Sequence, residues 1–322
     1  MTTSALLHST TPFLPIKLSP EAGFDLESWL YQNQELVQEQ LDHQGAILLR
    51  GLNIDSAPRL DDFVSLFPLN NFPYDQSLSN ALRLNKTERV FTANEAPAHL
   101  DIVLHHEMAQ TTFFPDWLFF SCALKAEAGG ATPVCRSDLV YQDLLQHRPR
   151  FIHQCEEQGF YYRQKFAFES DQTSAQGRSW PHLLELNQAL DLPALQTAAQ
   201  EKLTQLGYRW QWHNRVLEII SPVLPGIRRA KNQQKVFFNQ LLAAYTSWNN
   251  DLNSGVLSVF YGHGQSIDEH DIKALQDVCQ KHTQDIRWEV GDVAILDNHM
   301  VMHGRRAYTG KRQVFASLAV DP

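Results

Sequence analysis

The sequence predicts a mainly β fold, a β-sandwich or jelly roll decorated with helices. Three observations point there. Short apolar strand-like segments occur near both ends of the chain, so one β core draws on distant segments. Helical patterns cluster between and outside these strands, without the regular strand–helix alternation that builds a doubly wound parallel sheet. The last forty residues read as "IRWEV", a Gly291-Asp292 turn, "VAILDN" and "RQVFASLAV", a pattern of hairpin-type antiparallel sheet.

The elements follow in order. Residues 1–20, rich in Thr, Ser and Pro, read as an irregular arm with no basic residue before Lys17 and no secretory signal. "LESWLYQNQELVQEQLDHQG" places Leu26, Leu30, Val37 and Leu41 on one helical face, closed by Gly45. "AILLRG" is a short strand ended by Gly51, and residues 58–67 are helical again. "WLFFSCALKA" is a strand that turns at Gly129-Gly130 into "TPVC". A helical pair covers 138–158, "FYYRQKFAF" is a strand, and Leu195, Ala199, Leu203 and Leu206 mark a helix. "QKVFFNQ" reads as a strand. "SIDEHDIKALQDVCQKH" reads as a helix opened by a capping box of Ser266 and Glu269. No linker, repeat or low-complexity tract divides the chain. Residues 21–322 are therefore expected to form a single domain, with a helical insertion over roughly 138–235.

Composition excludes some functions. The chain of 322 residues is 43% hydrophobic and 20% charged, and its formal charge of −9 argues against nucleic acid or an anionic membrane as partner. No apolar run is long enough to span a bilayer. The four cysteines, Cys122, Cys135, Cys155 and Cys279, lack metal spacing and read as free buried thiols in a reducing cytoplasm.

The stretch "LDIVLHHEMAQ" carries the chemistry. On a strand over 100–108, His105 and Glu107 point to one face and His106 to the other. An imidazole and a carboxylate two residues apart on one face form half of a metal site, and a distant histidine would complete a facial triad with open positions. An isolated His-x-Glu more often marks a solvated strand, but apolar neighbours on both parities make that uncomfortable here. His303 in "DNHMVMHGRRAYTGKR" is the preferred third ligand, with Gly304 permitting close backbone approach; His299 is its competitor. Arg312, nine residues on, offers a planar fork for a carboxylate, and Thr132 a hydroxyl donor.

These motifs, with "LFFSCALKAEAGGATPV", "VFFNQ" and "GDVAILDNHMVMHGRRAYTGKRQVFASLA", resemble the iron(II)- and 2-oxoglutarate-dependent oxygenases of the taurine dioxygenase/TfdA superfamily. The clavaminate synthase-like and syringomycin-biosynthesis hydroxylase-like branch is the nearest. The resemblance runs from about Gly45 to Leu318. It implies a double-stranded β-helix (jelly-roll) core, iron held by His105, Glu107 and His303, and 2-oxoglutarate gripped by Arg312 and Thr132. The branch often has asparagine where this chain has His106. Retention of Glu107 implies hydroxylation or another oxidation rather than halogenation, with dioxygen consumed and succinate and carbon dioxide released. The substrate would be a small amino-acid-like molecule, free or tethered to a carrier protein. Asn94, Glu95, Trp180, Asn239 and Arg305 are candidates to contact it; loop hydrogen bonding, core packing or solvent contact are their bland alternatives. Two rival functions remain: a zinc hydrolase on the same three ligands, and a non-catalytic metal-binding sensor on a jelly-roll scaffold.

Overall fold

A computed structural model describes residues 15–17, 25–72, 77–79, 81, 83–93, 96–170 and 177–322. Two sheets make the core. The major sheet runs in the order Pro15–Lys17, Ala46–Arg50, Val293–Asp297, Trp117–Leu124, Gln313–Val320, Asn70–Asn71, with Val90–Thr92 also paired to Gln313–Val320. The minor sheet runs Thr283–Ile286, Thr132–Arg136, Val301–Arg305, Ile102–His105. Strands near both ends of the chain thus lie side by side, as the double-stranded β-helix reading expects.

Period-two alternation explains how the layers stack. Leu118, Phe120, Ala294, Leu296, Ala316 and Leu318 face inward and meet Val134, Ile286 and Val301 of the minor sheet. Their neighbours Phe119, Val293, Ile295 and Phe315 face outward, against the helices Leu26–Gln44 and Ala57–Ser65. The first helix buries Leu30, Val37 and Leu41 and ends at Gly45, whose φ of 69° lets its N–H return to the Leu41 carbonyl. On the far side of the minor sheet, Cys135 and Met302 pack with residues of the helices Ser137–His147, Pro149–Gln158, Leu241–Ser247 and Glu269–Lys281. The four cysteines are free and buried.

Several expectations need correction. Residues 15–17 are not irregular: they pair in parallel with Leu48–Arg50. The segment 138–235 is not purely helical, because Phe160–Phe166, Arg209–His213 and Val216–Ile220 form a further sheet with Val259–Tyr261. "QKVFFNQ" is a strand only over Lys235–Val236, after which the Phe237 N–H turns to the Ser137 carbonyl. Asp268, not Ser266, caps the helix Glu269–Lys281, its carboxylate accepting from the His270 N–H. The C-terminal strands do not pair as successive hairpins. Trp117–Leu124 lies between Val293–Asp297 and Gln313–Val320, and Val301–Arg305 belongs to the opposite sheet. Hydrophobic alternation fixes which face a residue takes but not which strand lies beside it.

Candidate active site

The minor sheet brings two histidines together. Ile102–His105 is one of its two edge strands, and His105 stands opposite His303 on Val301–Arg305. Side chains directly across a ladder share a face, so the two rings lie 4.4 Å apart, centroid to centroid. Gly304 makes this approach possible: a Cβ there would sit 2.4 Å from the Ile102 carbonyl oxygen.

The strand does not continue to residue 108. It ends at His105, and the chain turns through Met108 at a φ of 57°. Asn298 takes over where the ladder stops. Its side-chain oxygen accepts from the Glu107 N–H at 2.7 Å, and its amide donates to the carbonyls of Glu107 and Pro115 at 3.0 and 2.7 Å. The turn still delivers the carboxylate to the His105 side. Glu107 Oε2 lies 4.0 Å from His105 Nε2 and 3.4 Å from His303 Nε2. One donor atom from each residue falls within 4.8 Å of the others, and among the described residues no second such trio occurs.

His106 points away, as parity predicts. Its Nδ1–H donates to the Asn298 carbonyl, and its Nε2 meets the Ser137 hydroxyl. Burial pushes its pKa down to about 3. The ring is a fully buried brace of the turn. His299, the competitor for third ligand, pairs instead with Asp116 at 2.6 Å.

The electrostatics of the trio suit a divalent cation. His105 Nδ1–H donates to the Val103 carbonyl at 2.8 Å, which leaves its Nε2 lone pair facing Glu107. Burial, then the adjacent His303, depress the His105 pKa to about 4, so the ring is neutral at physiological pH. Burial alone would raise the Glu107 carboxyl, but Arg83, 2.9 Å away, and the two imidazoles hold it far below the usual carboxylate range. His303 Nδ1 is buried without a hydrogen-bond partner. Two imidazoles and an ionised carboxylate, with one donor atom from each within 4.8 Å of the others, are a donor set for iron or a related metal with positions left open.

A cavity of about 360 Å³ opens over the trio, and Thr132 and Arg312 also line it. Arg312 is anchored by Nε–H donation to the Gly130 carbonyl at 2.9 Å. Gly130 has a φ of 70°, and a Cβ there would meet Arg312 Cδ at 3.0 Å, so glycine is what seats this side chain. Burial, then neighbouring Arg305, depress the Arg312 pKa to about 10. Such a cation gains from a bound anion. The Thr132 oxygen accepts from Trp288 Nε1–H at 3.0 Å, so its own proton is free to be donated elsewhere.

The substrate candidates separate. Asn94 and Glu95 lie outside the described residues. Trp180 does not reach the cavity: it is fully buried among Leu183, Leu195 and Leu217, and its Nε1–H donates to the Arg215 carbonyl. Asn239 is also spent structurally, donating to the Gly226 carbonyl and accepting from the Leu241 N–H. Arg305 borders the cavity, yet its guanidinium donates to the carbonyls of Ala96, Pro97 and Leu100, so it clamps the loop before the ligand strand. Sequence reasoning passed over Arg83, Gln110, Gln164 and Gln240, which do line the cavity. Gln240 had a faint signal as the polar neighbour of Asn239. Arg83 had none, because its segment lacks any periodic pattern.

The chain is similar to known proteins. Residues 9–318 match the model of the family described as taurine catabolism dioxygenase TauD, TfdA family. A clavaminate synthase-like protein of Arabidopsis thaliana is 30% identical over 318 residues, covering 98% of this chain and 92% of the relative. The dapdiamide synthesis protein DdaC of Enterobacter agglomerans is 24% identical over 297 residues, covering 89% and 85%. The crystal structure of PvcB from Pseudomonas aeruginosa superposes with a TM-score of 0.53 at 14% identity, covering 96% of this chain and 85% of that one.

Proposed function

This chain belongs to the TauD/TfdA family of dioxygenases, and from that premise we propose that it hydroxylates an unactivated C–H bond of a small amino-acid-like substrate. The cofactor is iron(II), and the co-substrates are 2-oxoglutarate and dioxygen. The substrate is free or carried on a protein, and succinate and carbon dioxide are released.

The observation that carries this reading is the convergence of His105, Glu107 and His303 under a cavity whose wall also holds Arg312 and Thr132. Iron, when bound, supplies the centre at which dioxygen and a 2-oxo acid react. The protein does the rest by position and charge. His105 and His303 offer imidazole nitrogens, and His105 needs no deprotonation at neutral pH because burial has already driven its proton off. Glu107 is ionised and offers one negative charge. Arg312 takes the distal carboxylate of 2-oxoglutarate through a charge-assisted fork, and Thr132 donates its hydroxyl proton to the same group. Phe120 and Val314, which line the same cavity, present apolar surface that limits water around the reacting groups. A zinc hydrolase would use the trio but would leave Arg312 without an anion to bind.

Anaerobic addition of iron(II) and then 2-oxoglutarate tests the reading. A visible charge-transfer band should develop and bleach on admitting oxygen. Succinate release should then rise with one member of a panel of amino acids offered free and as carrier thioesters. Metal uptake without the band, or turnover with no 2-oxoglutarate consumed, would refute the assignment.

A further inference from the structure

Arg83 is a buried cation placed directly on a candidate metal ligand. Its Nη2 lies 2.9 Å from Glu107 Oε2, and the two side chains are only 5% and 4% exposed. The same Oε2 is the oxygen that faces His303 Nε2 at 3.4 Å and His105 Nε2 at 4.0 Å. The guanidinium carbon also sits 5.1 Å from the centre of the Phe91 ring, which steadies it over the cavity wall.

Taking the trio as the metal ligands, we propose that Arg83 is a positioning residue that holds Glu107 to one-oxygen coordination. A carboxylate oxygen has two lone-pair directions. With Arg83 on one of them, Oε2 can still offer the other toward the histidines. Chelation through both oxygens would require the carboxylate to swing until Oε1 and Oε2 are equidistant from the ion. That swing breaks a buried, charge-assisted hydrogen bond, which is among the strongest such contacts. It would also fill one of the positions that a chelating 2-oxo acid needs. Arg83 therefore keeps that position open. Asn298 fixes both the N–H and the carbonyl of Glu107, so the turn's backbone is held and Arg83 acts on the side chain that remains.

Cobalt(II) is a suitable probe, since its visible spectrum reports coordination number and its binding is independent of turnover. The wild-type protein should take up one cobalt. The infrared difference spectrum on binding should show the wide separation of carboxylate stretches that marks one-oxygen coordination. Arg83→Met should retain cobalt, narrow that separation, and weaken 2-oxoglutarate binding to the cobalt form by about tenfold or more. Arg83→Lys, which keeps a cationic donor, should stay within about threefold of wild type. A two-oxygen signature in the wild type overturns the proposal even if Arg83→Met does not fold. So does an Arg83→Met protein whose spectra and 2-oxoglutarate affinity match wild type. Failure of the metal assignment looks different: His105→Ala and His303→Ala would then bind cobalt as well as wild type does.

Discussion

Adjacent histidines illustrate how position outweighs residue type. His105 faces His303 and Glu107, while His106 braces the turn through Asn298 and Ser137. The two should fail in opposite ways. His105→Ala should lower iron affinity by about a hundredfold with little change in unfolding free energy. His106→Ala should hold iron nearly as well but lose about 2–4 kcal/mol, from a cavity plus two stranded polar partners. Iron titration beside urea unfolding separates them. In the wall of the same cavity, Arg312→Gln should weaken 2-oxoglutarate by at least about 30-fold, the loss of roughly 2 kcal/mol of charge-assisted bonding. Titration of the charge-transfer band measures it, and an unchanged constant would remove Arg312 from the co-substrate site.

The strands and turns that carry these side chains were unequally legible. Alternation in "IVLHHE" sets His105 and Glu107 apart from His106, and the structure does the same through a turn; "VMHG" points to His303, which the structure brings to His105 and Glu107 while His299 pairs with Asp116. Alternation could not reveal that the strand stops at His105, because the stop depends on Asn298, almost two hundred residues later, replacing the next ladder bonds. The same limit hid Arg83, which meets Glu107 only through tertiary folding. Trp180 and Asn239 misled for a related reason: a polar handle on a buried residue is often spent on backbone. At this scale Gly304→Ala is the informative change. Its Cβ would press on the Ile102 carbonyl and push apart the strands bearing His303 and His105. A loss of about 1–3 kcal/mol should be accompanied by weaker metal binding. Destabilisation with intact metal affinity would show that the ligand spacing does not depend on that contact.

Across the whole molecule, two buried neutral histidines contribute to the response to acid. The folded-state pKa values of His105 and His106 are depressed to about 4 and 3, against about 6.5 in an unfolded chain. Between those values the unfolded chain binds more protons, so stability falls as pH drops through 6.5 toward 4. Each ring should remove about 2 kcal/mol on going from pH 8 to pH 5 in metal-free protein. Replacing His106 with a residue that does not titrate should flatten the profile by its share, and an unaltered slope would count against this assignment. The parallel strand Pro15–Lys17 has a different global role. It lies along the outer strand Ala46–Arg50, which would otherwise be the rim of the major sheet. A rim of unsatisfied amides is a template on which another chain can add a strand. Trimming the protein back past residue 20 should therefore convert a well-behaved solution into one that self-associates with rising concentration, visible by light scattering. Those three residues take the rim position that Ala46–Arg50 would otherwise hold, and present a much shorter edge to the protein's own copies.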